Sequence, residues 1–124
     1  MGKTILIVDD EPNIVESLEF LMNREGFDTI VAGDGEEALQ ALQSQVPDVV
    51  LLDVMMQGKD GYEVCRQIRA TPDWQQAKVI MLSAKSRDTE IAKGLAVGAD
   101  AYITKPFSSK ELVQQVNKVL GARP

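Results

Sequence analysis

Histidine is absent from this chain, and cysteine occurs once, as Cys65. The first absence removes a histidine general base, a Ser-His-Asp triad and any His-ligated zinc. The second removes an internal disulfide, so nothing in the sequence asks for an oxidising compartment. Positive charge is also in short supply: 13 Lys and Arg stand against 19 Asp and Glu, a net charge of −6. Nucleic-acid surfaces need clustered Lys and Arg, so direct nucleic-acid binding is not expected. No apolar run approaches the ~18 residues of a membrane span, and the N-terminus has no signal-peptide core. Met1-Gly2 begins a myristoylation motif, but Leu6 stands where that motif requires Ser or Thr. The expectation is a soluble cytoplasmic domain. The length of 124 residues fits one domain, with roughly two-thirds of the unfolded surface buried and no need of staples.

What is present is an alternation. Thr4–Val8, Val49–Leu52 and Val79–Leu82 are unbroken apolar runs rich in β-branched residues. Such runs suit strands covered on both faces, as in a parallel sheet. Thr29–Ala32 and Ala101–Thr104 carry a weaker form of the same signal. Between the strands lie helical stripes: Ile14, Leu18, Leu21 and Met22 from Pro12 towards Gly26, then Ala38, Leu39 and Leu42 after Gly35. Val64, Cys65 and Ile68 follow Asp60-Gly61, and Ile91 and Leu95 lie in a fourth segment ending near Gly98. The last helix starts at a capping box, Ser108-Ser109-Lys110-Glu111, with Leu112, Val113, Val116, Val119 and Leu120 on its apolar face and Gly121 at its end.

The pattern is βα repeated five times, and right-handed crossovers then place helices on both faces of one parallel sheet. The expected fold class is α/β, a doubly wound three-layer sandwich of the flavodoxin-like type. Its five strands should run in the order 2-1-3-4-5, with a switch point between strands 1 and 3. Residues 1–124 read as one domain, with only Ala122-Arg123-Pro124 left after the last helix.

Ligands of open α/β sheets bind beyond the carboxyl ends of the strands, at the switch point. Strand 1 ends in Asp9-Asp10-Glu11 and strand 3 in Asp53, while strand 4 ends in Ser83-Ala84 and strand 5 in Thr104-Lys105-Pro106. Asp9, Asp10 and Asp53 would repel one another if left bare, and carboxylates that close either take up a proton or recruit a cation. Hard oxygen ligands with access to water favour Mg²⁺, which commonly combines carboxylates with phosphate oxygens. With the charge neutralised, Asp53 can attack a phosphoryl group and form an acyl phosphate. Lys105 and Ser83 would hold the phosphoryl oxygens, and the small Ala84 would leave access open. Taken singly, each residue has an ordinary role: Asp10 or Glu11 as a helix cap before Pro12, Asp53 at the start of a loop. Their joint arrival at one crevice is what points to chemistry.

With these residues in view, the chain resembles the receiver domain of two-component response regulators, the CheY-like family, over essentially its whole length. The matching positions are Asp9-Asp10, Asp53 followed by Gly58-Lys59-Asp60-Gly61, Ser83-Ala84, Gly98-Ala99-Asp100, Tyr102 and Lys105-Pro106-Phe107. The resemblance implies that Asp53 accepts a phosphoryl group from a phosphohistidine of a sensor histidine kinase or His-containing phosphotransfer domain. It implies Mg²⁺, or Mn²⁺ as a substitute, held by Asp10, Asp53 and the Met55 carbonyl, with Asp9 acting through water. Ser83, Ala84 and Lys105 would form the phosphate site, Lys105-Pro106 a cis peptide, and Tyr102 an aromatic switch. Phosphorylation would then bias a surface of helix 4, strand 5 and helix 5 that controls an unknown output or partner.

The sequence also departs from the family. Gln57 stands where many receivers have proline and Lys59 where many have an apolar residue, which suggests a more mobile loop. Met55 and Lys85 occupy the two positions that tune the lifetime of the phosphoryl group, and their bulk predicts a long-lived phosphoform. Lys93, Asp100 and Glu111 suit a charge network used by dimers of winged-helix regulators. Ala101 and Gln115 break that network, so the dimer is not expected.

The function expected is that of a phosphorylatable switch that assists only its own phosphorylation and dephosphorylation, with phosphodonors as its only small-molecule substrates. One alternative is a small Mg²⁺-dependent phosphatase with an aspartyl nucleophile. Such enzymes usually place two acids as D-x-D on one strand and add a cap domain, unlike the adjacent Asp9-Asp10 here. A receiver that scaffolds partners without being phosphorylated is another. A flavin module shares the strand order, but Asp9-Asp10-Glu11 would repel its phosphate, and neither G-x-G-x-x-G nor a Walker A motif occurs. Setting aside Asp9, Asp10, Glu11 and Asp53 reduces the net charge from −6 to −2. The acidity is mostly that of one site.

Overall fold

The computed structural model of the chain describes residues 3–56, 60–85 and 87–121. Five parallel strands form one sheet in the order β2-β1-β3-β4-β5. They are β1 (Thr4–Val8), β2 (Asp28–Ala32), β3 (Val49–Asp53), β4 (Lys78–Ser83) and β5 (Ala101–Thr104). The helices between them are α1 (Pro12–Arg24), α2 (Gly35–Ser44), α3 (Gly61–Ala70), α4 (Asp88–Ala96) and α5 (Ser109–Val119). Met1, Gly2, Gln57, Gly58, Lys59 and the last three residues lie outside the described residues, and so do the myristoylation and loop-mobility expectations. Among the described residues no helix is long and apolar enough to cross a membrane.

The unbroken apolar runs are explained by burial from two sides. In β1, Leu6 and Val8 face one core with Ala38, Leu42, Val64 and Ile68, under α2 and α3. The alternate residues Ile5 and Ile7 face the other core with Leu18, Met22, Leu112 and Val116, under α1 and α5. Central β1 lies between β2 and β3, with Leu6 opposite Ile30 on one side and Val50 on the other. A slip of one residue would exchange the two faces of a strand, and each large side chain displaced from a core forfeits ~1.5–3 kcal/mol. The weaker signals of β2 and β5 belong to the two edge strands, in each of which one residue is buried, Ala32 and Ile103, and the rest are partly buried or exposed.

Helix ends follow local chemistry. Pro12 occupies the first turn of α1, where its missing N–H costs nothing. Asp34, Asp60 and Ser108 cap α2, α3 and α5 by accepting the N–H of the residue three places on. Gly26 and Gly98, with φ of +92° and +111°, turn the chain out of α1 and α4.

Two expectations are corrected here. The apolar stripe of α4 does not bury Leu95, which is 48% exposed; the buried residue is Gly94. A Cβ on Gly94 would stand 2.8 Å from the Met81 sulfur and 2.9 Å from the Tyr102 ring, so the helix turns its side-chain-free position to the sheet. Trp74, whose place in the Thr71-Pro72-Asp73-Trp74 loop reads in sequence as that of a surface aromatic, lies in a 3-10 turn (Pro72–Trp74), half-buried and packed on the core beneath α2 and α3. Cys65 is buried, as its helical face suggested, and burial pushes its thiol up to about 11.

Candidate phosphoacceptor site

Parallel strands deliver their carboxyl ends to one edge, and there the chain places charge. Asp9, Asp53 and Ser83 are buried polar residues at the ends of β1, β3 and β4. Asp10 lies beside them on the exposed rim, and a carboxylate oxygen from each of Asp9, Asp10 and Asp53 falls within 4.8 Å of the others. The Lys105 ammonium enters from the turn after β5, 3.2 Å from Asp9 Oδ2 and 3.6 Å from Asp53 Oδ1. Asp9 Oδ1 accepts the Glu11 N–H at 2.9 Å, and Asp53 Oδ1 accepts the Met55 N–H at 3.2 Å. Glu11 sits at the N-cap position of α1 but makes no side-chain cap bond, so helix capping does not account for Glu11.

Burial and the neighbouring Asp9 carboxylate push Asp53 up from 3.8 to about 6, against the pull of Lys105 and the Met55 N–H. An acid in this position is short of positive charge. The donor set of three hard carboxylates at one crevice fits a divalent cation such as Mg²⁺, which would relieve the repulsion that adds to burial in pushing Asp53 up.

Gly61 shows why the Asp60-Gly61 pair matters. Its N–H donates to Val54 O at 3.0 Å, and a Cβ there would lie 2.6 Å from the Asp53 carbonyl oxygen. Only glycine lets the start of α3 approach the strand that carries Asp53. On the other side of the crevice the Lys85 N–H donates to Ser83 Oγ at 3.1 Å, and the Tyr102 hydroxyl donates to the Lys85 carbonyl at 2.9 Å. The Lys105 N–H donates to Ser83 O at 2.8 Å, and the Lys105-Pro106 peptide is cis. Ala84 and Lys85 are exposed at the mouth, and the Met55 side chain is 56% exposed.

A cluster that the sequence reading did not single out adjoins the site. Tyr62, buried at the start of α3, donates its hydroxyl to Glu90 Oε2 of α4 at 2.9 Å. Glu90 Oε1 lies 3.8 Å from the Lys85 ammonium, and Lys93 stands 4.4 Å over the Tyr62 ring. Burial and Glu90 hold the Tyr62 hydroxyl well above the usual phenol range. The spacing of these residues in sequence gives no hint of the cluster, because it forms only when α3 and α4 lie side by side. Of the residues that suit the charge network of winged-helix dimers, Asp100 is engaged within the chain by Arg69 at 2.7 Å, and Lys93 covers Tyr62.

The profile of the response regulator receiver domain matches residues 5–117. The chain belongs to that family. It is 34% identical to the receiver domain of a signal transduction histidine kinase of Syntrophus aciditrophicus, with a TM-score of 0.90 over 97% of this chain and 91% of that one. Vibrio cholerae CheY4 matches at 28% identity and a TM-score of 0.91, covering 96% and 99% of the two chains. The receiver domain of a Pseudomonas aeruginosa sensor histidine kinase matches at 28% identity and 0.90, covering 98% and 100%; its structure holds a magnesium ion coordinated in the active-site cleft. This receiver is thus a two-component signalling domain of the phosphoacceptor type, with the acidic cluster of a Mg²⁺ site in place.

Proposed function

We propose that Asp53 is the phosphoacceptor of a cytoplasmic two-component switch, phosphorylated from the phosphohistidine of a histidine kinase or phosphotransfer domain. The observation that carries this reading is the setting of Asp53: buried, pushed up to about 6, with acids on one side and Lys105 on the other. In the transfer, an Asp53 carboxylate oxygen attacks phosphorus and the phosphorus–nitrogen bond to the donor imidazole breaks. The imidazole leaves and takes up a proton from water. Asp10, Asp53 and the Met55 carbonyl would hold Mg²⁺, with Asp9 acting through water. When bound, that ion supplies charge neutralisation for the incoming phosphoryl oxygens.

The chain's own residues do the rest. Lys105 moves its ammonium from the carboxylates to a phosphoryl oxygen, and Ser83 Oγ donates to another, with Ala84 leaving the approach open. Drawing Ser83 inward acts on Lys85, whose N–H it now accepts, and through the Lys85 carbonyl on the Tyr102 hydroxyl. That path leads from Asp53 to the face of α4, β5 and α5, which would meet the output partner. Met55 and Lys85 stand at the mouth and restrict water, so the phosphoform should outlast one with small polar residues there.

The test is incubation with Mg²⁺ and acetyl phosphate or beryllofluoride, alongside Asp53→Asn. Label and conformational change should depend wholly on Asp53, and the label should decay over minutes or longer. Modification that survives Asp53→Asn would sink the reading, and multiple turnover on free phosphomonoesters would mark a phosphatase instead.

A further inference from the structure

A cavity of about 560 Å³ opens beside the phosphoacceptor, walled by Asp10, Met55, Tyr62, Lys85, Glu90 and Lys93. One of these, Glu90, is fixed from two sides. The Tyr62 hydroxyl donates to its Oε2 at 2.9 Å and also reaches its carbonyl oxygen at 3.3 Å. Its other carboxylate oxygen faces the Lys85 ammonium at 3.8 Å. Tyr62 itself cannot drift, being 4% exposed and covered by Lys93. The Lys85 backbone is tied to Ser83 and to Tyr102, whereas among the described residues its side chain pairs with Glu90.

We propose that Glu90 is a positioning residue for dephosphorylation: braced by Tyr62, it holds the Lys85 side chain as a wall across the water approach to Asp53. This rests on the reading of Asp53 as the phosphoacceptor. In the step concerned, a water oxygen attacks phosphorus and the bond from phosphorus to the Asp53 oxygen breaks. Inorganic phosphate leaves with the water's proton, and the Asp53 carboxylate is restored. A Lys85 chain anchored to Glu90 occupies the cavity through which that water comes. Released from Glu90, the four-carbon stem samples many rotamers and the wall opens.

The pair is partly exposed, with side-chain exposures of 43% for Lys85 and 27% for Glu90. A bond of that kind alters a rate by about two- to fivefold. Glu90→Gln keeps an acceptor for Tyr62 but loses the charge, so the phosphoryl group should be lost about two- to fivefold faster. Lys85→Ala should be at least as fast, and Glu90→Gln in the Lys85→Ala background should add nothing, since the two changes remove one interaction. A merely structural Glu90 would instead accelerate decay equally with and without Lys85. A second readout needs no phosphate. In the unphosphorylated chain, NMR relaxation of the Lys85 Cε methylene should show greater mobility in Glu90→Gln and in Tyr62→Phe. Phosphorylation on Asp53 in every variant with unchanged decay and unchanged Lys85 mobility overturns this proposal alone. A wild-type chain that never takes a phosphoryl group overturns it together with the reading of Asp53.

Discussion

Asp53 and Asp100 are the same residue at opposite ends of the sheet, and the chain treats them oppositely. Asp100, just ahead of β5, accepts the Arg69 guanidinium at 2.7 Å and the Val79 N–H at 2.8 Å on one oxygen. The same guanidinium donates to Gly98 O and Ala77 O, so charge and donors are matched there. Among the described residues Asp53 has one backbone donor and shares Lys105 with Asp9, and burial together with the Asp9 carboxylate pushes its carboxyl up to about 6. One aspartate is complete within the fold. The other keeps an excess of negative charge among the described residues, and that difference marks a candidate site against a scaffold.

The largest effect on stability should come from breaking the complete one. Asp100→Ala leaves the N–H of buried Val79 and one arm of Arg69 without their acceptor. It should lower unfolding stability by about 2 kcal/mol in urea titrations. Phosphorylation of Asp53 should survive in the folded fraction. A loss below about 0.5 kcal/mol, the range of an ordinary surface change, would mean the pairing is decoration.

Asp53→Asn should do the reverse. A carboxyl raised from 3.8 to about 6 binds its proton more tightly folded than unfolded. Its contribution to stability is therefore complete below pH 3.8 and is lost as pH rises through about 6. Above that, the wild type carries a penalty of up to ~3 kcal/mol, which asparagine, having no charge, does not incur. At pH 8 the variant should be more stable by about 1–2 kcal/mol, the cost of burying a polar amide offsetting the remainder, and the gain should shrink towards zero near pH 4. A pH-independent difference would place its origin in packing rather than charge.

How much of this contrast could be read from the sequence depends on the range of the contacts involved. The strands, their order and the approach of Asp9, Asp10, Asp53, Ser83 and Lys105 follow from topology, since a parallel sheet collects strand ends whatever the side chains do. The completion of Asp100 was not legible. It joins α3 to the start of β5 through one guanidinium, and nothing in the spacing of Arg69 and Asp100 marks them as partners. Gly61 read as part of a motif, but its reason, a 2.6 Å clash with the Asp53 carbonyl oxygen, exists only in three dimensions. Leu95 was misassigned for a related reason: periodicity counts side chains, and it cannot see that a glycine is the residue the Tyr102 ring requires.

Mg²⁺ sharpens the comparison further. If Asp53 lacks a cation, adding one at ten times its Kd should stabilise the wild type at pH 8 by ~1.4 kcal/mol. Asp100→Ala should show the full increment from its lower baseline, and Asp53→Asn a much smaller one. In the wild type the increment should fade as pH drops below about 6, where Asp53 takes up a proton and competes with the ion. Thermal melts with and without Mg²⁺ at pH 5 and pH 8 read all of this. An equal increment in Asp53→Asn would put the ion elsewhere.

Glu90 lies between the two extremes, and the smallest effect should come from it. It has a firm donor in Tyr62 and a loose one in Lys85, and its side chain is 27% exposed, so water can replace what is removed. Tyr62→Phe keeps the buried ring under Lys93 and deletes only the hydroxyl. A hydrogen bond whose acceptor is rehydrated is worth about 0.5–1 kcal/mol. The loss should be of that size, with no change in the denaturant slope. A loss above ~2 kcal/mol would mean that water does not replace the lost bond, and that α4 is fastened to α3 too tightly to move when Asp53 changes. A small one leaves the junction between α3 and α4 free to shift, as the proposed output face of α4, β5 and α5 requires.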